Sequence, residues 1–298
     1  MHIQVDYFQL NELCLCGLKI LKTTACLMKN IRLDIFLVEH GLSQSREKAK
    51  KEIISGWVKV NGETLRDPSK KIIGNEKIII ERPGGLFVSR GGDKLQHALH
   101  EFQIDLTGLV TLDLGASTGG FTDCMLKSGA VKVFAVDVGY NQLDYSLRID
   151  QRVVVMEKTH ARDIKREMFQ DRIDFFTADL SFISILKVLP AVYDIFDNIR
   201  GVILVKPQFE AESSQHKKGV VRNLEDHVEI LQRVAAGIAE TGFNILKITH
   251  SPIKGPAGNI EFLFFISKGG AAEDRNNGKN HLESEIPAIV ETAHNSLQ

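Results

Sequence analysis

The stretch Thr111-Leu-Asp-Leu-Gly-Ala-Ser-Thr-Gly-Gly-Phe121 decides the fold. It has the pattern of a β-strand, a glycine turn and a helix start, which is where a doubly wound α/β sheet binds an adenosine cofactor. Glycines lack Cβ atoms, so the turn can take unusual dihedral angles and let a ligand lie against the backbone. Because three residues separate Gly115 from Gly119, the spacing is not the dinucleotide Gly-x-Gly-x-x-Gly pattern. A turn that serves only strand–helix packing is the alternative.

Strands and helices alternate around this turn. Continuous runs of Val, Ile, Leu and Phe predict a parallel sheet that helices cover on both faces. The last two strands are joined by residues 251–259, too short for a crossover helix, so the final strand should run antiparallel. The predicted fold is α/β and Rossmann-like, a mostly parallel seven-stranded sheet with its last strand antiparallel. The predicted strands are 110–114, 131–137, 153–157, 173–179, 202–206, 243–250 and 260–267.

Charge separates a small basic segment from a mildly acidic body. Residues 29–82 carry 12 Lys and Arg against 8 Asp and Glu, whereas residues 83–298 carry 23 against 28. Small basic domains usually bind polyanions, although lysines and arginines on a solvent-exposed helix face would give the same excess of positive charge. The formal charge of the whole chain, −1, hides this difference.

Helix and turn signals divide the chain into predicted domains. A helix from Ile31 to His40, a second after Ser45, a hairpin at Asn61-Gly62 and a strand at 77–80 predict a small α+β domain. A further helix should begin near Asp93. The predicted boundaries are 1–28 for an extension, 29–82 for the small domain, 83–92 for a linker, 93–268 for the large domain, and 269–298 for a spacer and a short helix near 286–294.

The first 28 residues do not match a signal peptide. Asp6 and Glu12 stand where a cationic region belongs, and Lys19 and Lys22 interrupt the apolar run. No window approaches the ~18 apolar residues of a spanning helix, so we expect no membrane insertion. We expect this extension to be a disordered tail. The alternative is that translation starts at Met28, in which case the residues before it are an artefact of gene prediction.

The cysteines show no zinc-binding spacing. We therefore expect free thiols, no metal and a reducing, cytoplasmic location. The four are Cys14, Cys16, Cys26 and Cys124.

Acidic residues at two strand ends favour a cofactor without phosphates. Asp113 ends the first strand, and Asp137, 24 residues later, could accept hydrogen bonds from two ribose hydroxyls. The cationic sulfonium of S-adenosylmethionine suits such a site better than NAD. The predicted cofactor-binding residues are Asp113, Gly115, Ala116, Ser117, Thr118, Gly119, Gly120, Phe121, Asp137, Val138 and Asp179.

Charged residues should meet at the edge of the sheet where parallel strands end. Asp179 and Lys206 end two strands, and Glu261 begins the antiparallel one, which places it at the same edge. Lys206 leaves a buried strand, and burial with a nearby cation would lower its pKa to that of an amine base. Lys94 could be that cation. A surface lysine and a structural ion-pair network are the alternatives.

At these residues the chain resembles the TlyA family of ribosomal RNA 2′-O-methyltransferases, within the wider FtsJ-like group. The matching motifs are Ser89-Arg-Gly-Gly-Asp-Lys94, Asp113 to Phe121, Asp137-Val-Gly-Tyr-Asn-Gln142, Ala178-Asp-Leu-Ser-Phe-Ile-Ser184, Lys206-Pro-Gln-Phe-Glu210 and Gly255-Pro-Ala-Gly-Asn-Ile-Glu261.

The resemblance implies a class I methyltransferase domain that uses S-adenosylmethionine to methylate cytidine 2′-hydroxyls in RNA of the 30S subunit, the 50S subunit or both. It also implies that residues 31–81 are an RNA-binding domain. The family's catalytic tetrad corresponds to Lys94, Asp179, Lys206 and Glu261. The predicted RNA-binding residues are Arg32, Ser45, Arg46, Lys48, Lys50, Lys51 and Arg90.

Two other functions stay open at this point. One is a membrane-active haemolysin, a label that the family also carries, although the sequence lacks a spanning segment. The other is a non-catalytic RNA-binding factor for ribosome assembly, which the intact tetrad disfavours.

Overall fold

The computed structural model describes residues 30–43, 45–74, 76–80, 86–212, 219–269 and 279–297. Two compact units divide the chain, residues 1–84 and 85–298. The expected extension at 1–28 and most of the expected spacer after Gly269 lie outside the described residues.

The smaller unit packs two helices on short antiparallel strands. Leu33, Leu37 and Ile53 of its core are fully buried. Asn61 and Gly62 have φ angles of 51° and 88°, as a tight hairpin requires, and this confirms the predicted turn. Residues 31–32 pair with a later strand instead of starting the first helix, so that helix begins two residues later than predicted. The elements are β1 (Ile31–Arg32), α1 (Leu33–Glu39), α2 (Arg46–Ile54), β2 (Val58–Val60), β3 (Glu63–Thr64), β4 (Lys71–Ile72) and β5 (Ile78–Ile80).

The larger unit contains a seven-stranded sheet with helices on both sides. Each predicted strand appears within a few residues of its expected bounds. The predicted C-terminal helix is longer than expected and the helix at Asp93 begins two residues earlier. The elements are α3 (Gly91–Phe102), β6 (Val110–Leu114), α4 (Gly120–Lys127), β7 (Lys132–Val136), α5 (Tyr145–Arg148), β8 (Val153–Met156), β9 (Phe175–Ala178), α6 (Leu189–Ile195), β10 (Ile199–Val205), α7 (Pro207–Glu210), α8 (Leu224–Thr241), β11 (Asn244–His250), β12 (Phe262–Lys268) and α9 (Lys279–Ser296).

The strand order is β11-β12-β10-β9-β6-β7-β8. β6 lies in parallel between β7 and β9, and β9 is parallel to β10. β12 runs antiparallel to both of its neighbours, β10 and β11, which confirms the predicted direction of the last strand. The ends of β6, β7, β9, β10 and β11 and the beginning of β12 therefore share one edge of the sheet, which we name the carboxyl edge.

Buried side chains on both faces of the sheet hold these strands in place. Phe176, Phe262 and Phe264 are fully buried within it. α9 adds Ile286, Val290 and Ala293, spaced to lie on one helix face, and all three are fully buried. Burying a Phe, Ile or Val side chain stabilises a fold by about 1.5–3 kcal/mol. The carboxyl edge thus rests on a rigid, well-packed base.

Candidate active site

The glycine turn after β6 approaches its neighbours closely. Gly115 has a φ of +86°, and a Cβ atom there would lie 2.5 Å from the backbone oxygen of Asp179. Gly119 has a φ of +95°, and a Cβ on Gly120 would lie 2.3 Å from Ser89 Oγ. Only glycine fits such positions without strain, so the turn forms a tight cradle at the carboxyl edge.

Asp137 ties this turn to the end of β7. Its Oδ2 accepts a hydrogen bond from the backbone nitrogen of Ser117 at 2.7 Å, and its Oδ1 accepts one from Gly139 N, also at 2.7 Å. The carboxylate is therefore beside the turn, at the predicted place. Val138, which follows it, is 58% exposed.

Asp113 lies beneath the turn. It is fully buried, and its two oxygens accept hydrogen bonds from Thr122 Oγ1 at 2.6 Å and Thr177 Oγ1 at 3.0 Å. Burial raises the pKa of Asp113 to about 7, although the threonine hydrogen bonds oppose that shift. Asp113 supports β6 and α4 from inside and does not line the cleft described below, unlike most other predicted cofactor-binding residues.

The four residues of the tetrad form two ion pairs at the carboxyl edge. Lys94 Nζ lies 2.5 Å from Glu261 Oε2, and Lys206 Nζ lies 2.6 Å from Asp179 Oδ1. The Asp179 contact lacks hydrogen-bond alignment, so it acts through charge. Lys206 Nζ also donates a hydrogen bond to Ser181 Oγ at 3.0 Å. The direct partner of Lys206 is thus a carboxylate, not the cation expected from sequence.

The strand register explains why these groups meet. Val205 of β10 pairs with Phe262 of β12, so the residues next to them, Lys206 and Glu261, leave the sheet side by side. Lys94 reaches the same place from the first turn of α3. The side chains of Lys94, Lys206 and Glu261 are at least nine-tenths buried. Buried charges are costly to desolvate and add little net stability, so three of them at one edge, beside the partly exposed Asp179, favour a chemical role.

The cradle and the tetrad line one cleft of about 280 Å³, near the lower end of the usual ~300–1,000 Å³ range for small-molecule sites. Asp137 and Val138 stand outside this lining. The lining residues define the cleft: Ser89, Arg90, Gly91, Lys94, Gly115, Ala116, Ser117, Thr118, Gly120, Phe121, Asp179, Ser181, Lys206, Ile253, Lys254, Pro256 and Glu261.

A second network holds the loop that carries Asp179 and Ser181. Glu210 Oε2 accepts a hydrogen bond from Ser184 Oγ at 2.5 Å, and Glu210 Oε1 accepts one from the backbone nitrogen of Ile185 at 2.8 Å. Burial raises the pKa of Glu210. Sequence reasoning missed Ser181, Glu210 and Lys254 as site residues, although all three stand within or next to motifs that it singled out.

The predicted RNA-binding residues fall in both units. Arg90 is exposed and lines the cleft. In the smaller unit, Ser45 Oγ accepts a hydrogen bond from Lys48 N and caps α2. Arg32 Nε and Arg46 Nε each lie 2.9 Å from the buried carboxylate of Asp34. Burial opposes ionisation of Asp34, but these two guanidinium groups lower its pKa to about 2.

The remaining predicted residues of the smaller unit, Lys48, Lys50 and Lys51, are carried by α2 and are half-buried or exposed.

Within the described residues, no helix is long and apolar enough to span a membrane. The described part of the chain also holds no cluster of three or more His, Cys, Asp or Glu that could bind a metal ion.

Comparisons with known proteins agree with this geometry. Residues 87–268 match the model of the FtsJ-like methyltransferase family, and residues 31–78 match the S4 domain. YqxC of Bacillus subtilis, which carries the name of an rRNA methyltransferase, is 42% identical over 91% of this chain and 96% of its own length.

A second relative is the 16S/23S rRNA (cytidine-2′-O)-methyltransferase TlyA of Mycobacterium tuberculosis, 39% identical over 80% of this chain and 90% of its own length. A solved structure described as a haemolysin from Streptococcus thermophilus is 39% identical and superposes with a TM-score of 0.69, covering 90% of this chain and 97% of that one.

Proposed function

Since this chain belongs to the FtsJ-like methyltransferase family, we propose that it methylates the ribose 2′-oxygen of cytidine in ribosomal RNA, with S-adenosylmethionine as the methyl donor. The main support for this proposal is that the glycine cradle and the two lysine–carboxylate pairs line the same cleft. The S4 domain, residues 31–78, supplies the contact with RNA. Ribosomal RNA as acceptor implies a cytoplasmic location.

The cradle packs closely on its protein neighbours. A Cβ atom on Gly115 would lie 2.5 Å from Asp179 O, and one on Gly120 would lie 2.3 Å from Ser89 Oγ, so glycine lets the turn lie against both residues. The nucleoside of S-adenosylmethionine would bind on this turn. Asp137, whose Oδ2 accepts a hydrogen bond from Ser117 N of the cradle, would also accept hydrogen bonds from ribose hydroxyls. S-adenosylmethionine, when bound, would supply an electrophilic methyl group.

Lys206, in its neutral amine form, would take the proton of the ribose hydroxyl as the 2′-oxygen displaces S-adenosylhomocysteine from the methyl group. Asp179 would hold the resulting ammonium group, and Ser181 fixes its direction. The ion pair of Lys94 and Glu261 would hold both side chains in position on the neighbouring wall of the cleft. Most of the rate gain then comes from alignment of the nucleophile with the methyl group.

Tritiated-methyl transfer to purified 30S and 50S subunits tests this proposal. Wild type should label RNA of at least one subunit, and the labelled subunit identifies the acceptor. Lys206→Ala should lose about 10²–10⁴-fold in rate, the usual contribution of a general base, while calorimetry gives an unchanged affinity for S-adenosylmethionine.

Lys206→Arg separates the roles of base and charge. Arginine keeps a cation beside Asp179 but cannot lose its proton near neutral pH. The variant should fold and bind cofactor as wild type does and yet be nearly inactive. Substantial turnover by Lys206→Arg would mean that Lys206 acts only as a positive charge. Lys165→Ala, a lysine outside the cleft lining, is the matched control.

A haemolysin remains a function of another class, because a similar solved structure is described as one. Leakage of dye from liposomes with pure protein discriminates between the two. The FtsJ-like site predicts no leakage at protein concentrations that give full methyl transfer.

A further inference from the structure

Two cations of the cleft lining, Arg90 and Lys254, form no ion pair within the described residues, and of these two Arg90 is exposed and Lys254 is half-buried. Lys94 and Lys206 are each paired with a carboxylate, whereas Lys254 lines the same cleft and takes part in no ion pair of the described chain. Lys254 is half-buried, so it is only partly accessible to water. A partly desolvated cation at a site for a polyanion favours an anionic ligand.

The backbone around Lys254 is well ordered by hydrogen bonds. Ser251 Oγ donates a hydrogen bond to Ile253 O at 2.6 Å, and Gly255 N donates one to Asn259 O at 2.9 Å. Asn259 is itself buried and accepts a hydrogen bond from Val221 N. A loop tied at both ends holds its backbone in place before a ligand arrives, which lowers the entropic cost of binding.

The same loop contacts the tetrad. A Cβ atom on Gly255 would lie 2.5 Å from Glu261 Oε1, so the backbone next to Lys254 packs directly on that carboxylate. An anion held by Lys254 would therefore be a neighbour of the reacting groups.

The strand order locates Lys254 on the side of the tetrad away from the cradle. Along the carboxyl edge the cradle follows β6, Asp179 follows β9, Lys206 follows β10, and Glu261 precedes β12. The loop of Lys254 joins β11 to β12, beyond Glu261. With strands ~4.8 Å apart, three spacings separate β6 from β12, or roughly 14 Å. The tetrad lies between the cofactor cradle and Lys254.

We propose that Lys254 binds a backbone phosphate of the RNA strand whose ribose is methylated. The proposal rests on the function proposed above and adds a specific contact to it. The phosphate next to the target ribose would be held at one end of the cleft, and the 2′-hydroxyl would then face Lys206. Such a contact selects a nucleic acid strand over a free nucleoside, since only the strand carries the phosphate.

Salt-dependent kinetics on the ribosomal subunit that wild type labels test the contact. Lys254→Ala should raise KM for the subunit by about 5- to 20-fold and leave the affinity for S-adenosylmethionine within about twofold. The slope of log(kcat/KM) against log[KCl] should become shallower by about 0.7, the effect of one lost phosphate contact on a single strand.

Two further variants control the measurement. Lys254→Arg keeps the cation and should retain most of the wild-type slope and KM, and Lys165→Ala removes a lysine outside the cleft and should behave as wild type. A thermal unfolding curve of each variant excludes loss of the fold.

Three results would overturn the proposal. One is an unchanged KM and slope for Lys254→Ala. Another is a weaker affinity for S-adenosylmethionine with an unchanged KM for RNA, which would assign Lys254 to the cofactor carboxylate. The third is a Lys254→Arg variant as impaired as Lys254→Ala.

If wild type labels neither subunit, it is the methyl-transfer proposal that fails. Filter binding of deproteinised 16S and 23S rRNA then tests Lys254 by itself, with the same difference in salt slope expected.

Discussion

At the scale of single residues, Asp113 is a carboxyl group that the fold removes from water. It sits under the cradle, with Thr122 and Thr177 as its hydrogen-bond donors, and burial raises its pKa to about 7. Near neutral pH, part of the population is therefore protonated. This position makes Asp113 a support for β6 and α4, and under the proposed function the residues of the turn contact the cofactor.

The raised pKa of Asp113 makes stability depend on pH in a defined direction. Between about pH 4 and pH 7 the folded state holds a proton that the unfolded state, with a pKa near 3.9, has released. The stabilisation that protonated Asp113 adds to the folded state is therefore fully present below about pH 4 and is lost as pH rises through about 7. Asp113→Asn should abolish it.

Urea unfolding of the wild type and of Asp113→Asn from pH 4 to 8 measures the effect. The free energy of unfolding of the wild type, minus that of Asp113→Asn, should fall as pH rises from 4 to 8. A difference that is constant with pH would show that Asp113 ionises normally.

The sequence identified the residue types of the site better than their contacts. Asp179, Lys206 and Glu261 end or begin strands, and strand direction alone brings them to one edge. The pairing of Lys206 with Asp179, and the position of Asp113 below the turn, depend on side-chain directions and on packing between elements distant in sequence. Lys254 has no local signal apart from a loop that contains proline and glycine.

At the scale of elements, the turn between β6 and α4 depends on the absence of side chains. Gly115 combines a φ of +86° with an approach to the backbone of Asp179 that leaves no room for a Cβ atom. The backbone oxygen there belongs to a strand end and cannot rotate away. A substitution must therefore move the turn or the loop that carries Asp179.

Gly115→Ala should weaken binding of S-adenosylmethionine by at least about tenfold, because both strain and a clash displace the cradle. Gly108→Ala is the matched control, since Gly108 has a similar φ of +78° but open space around it. Isothermal titration calorimetry gives both affinities. Equal affinities for the two variants would show that the cradle does not contact the cofactor.

Contact between α8 and α9 includes a pair of histidines. His227 is fully buried, its Nδ1 donates a hydrogen bond to Asn223 O, and His294 Nε2 lies 3.1 Å from the same nitrogen. Burial lowers the pKa of His227 to about 4, and burial also lowers that of His294. The packing of α9 on α8 thus requires neutral rings.

Acid should therefore loosen α9. From about pH 6.5, near the unfolded pKa, down to about pH 4, the unfolded state binds a proton that folded His227 excludes, so stability falls as pH falls. Hydrogen-exchange protection factors of α9 should decrease over this range. His227→Phe should reduce the decrease, whereas His100→Gln, which changes an exposed histidine, should not. Equal acid sensitivity of all three proteins would contradict this account.

Elements were more predictable from sequence than single contacts. Continuous apolar runs identify β6 through β12, and Asn61-Gly62 identifies the hairpin, because these signals are local. The start of α1 was missed because Ile31 and Arg32 pair with β4, some forty residues later in the chain, and only tertiary structure brings them together.

At the scale of the whole molecule, each unit contributes one property of the proposed enzyme. The larger unit holds the cleft, and the S4 domain of the smaller one carries the lysines of α2. Affinity for RNA and affinity for the cofactor should therefore respond to different substitutions.

Replacement of Lys48, Lys50 and Lys51 by alanine tests this division. The triple variant should bind rRNA more weakly, with a salt slope shallower by about 2, because up to three phosphate contacts are lost. Its affinity for S-adenosylmethionine should match that of wild type. Filter binding and calorimetry measure the two quantities, and an unchanged salt slope would exclude α2 from the RNA contact.

The central claim is that the cleft transfers a methyl group to a ribose oxygen, and the chemical identity of the product tests it most directly. After incubation with wild type and S-adenosylmethionine, ribosomal RNA is digested to nucleosides and analysed by mass spectrometry. We predict 2′-O-methylcytidine in the wild-type sample and its absence with Lys206→Ala. A methyl group on a base, or no methylated nucleoside despite bound cofactor, would contradict the account.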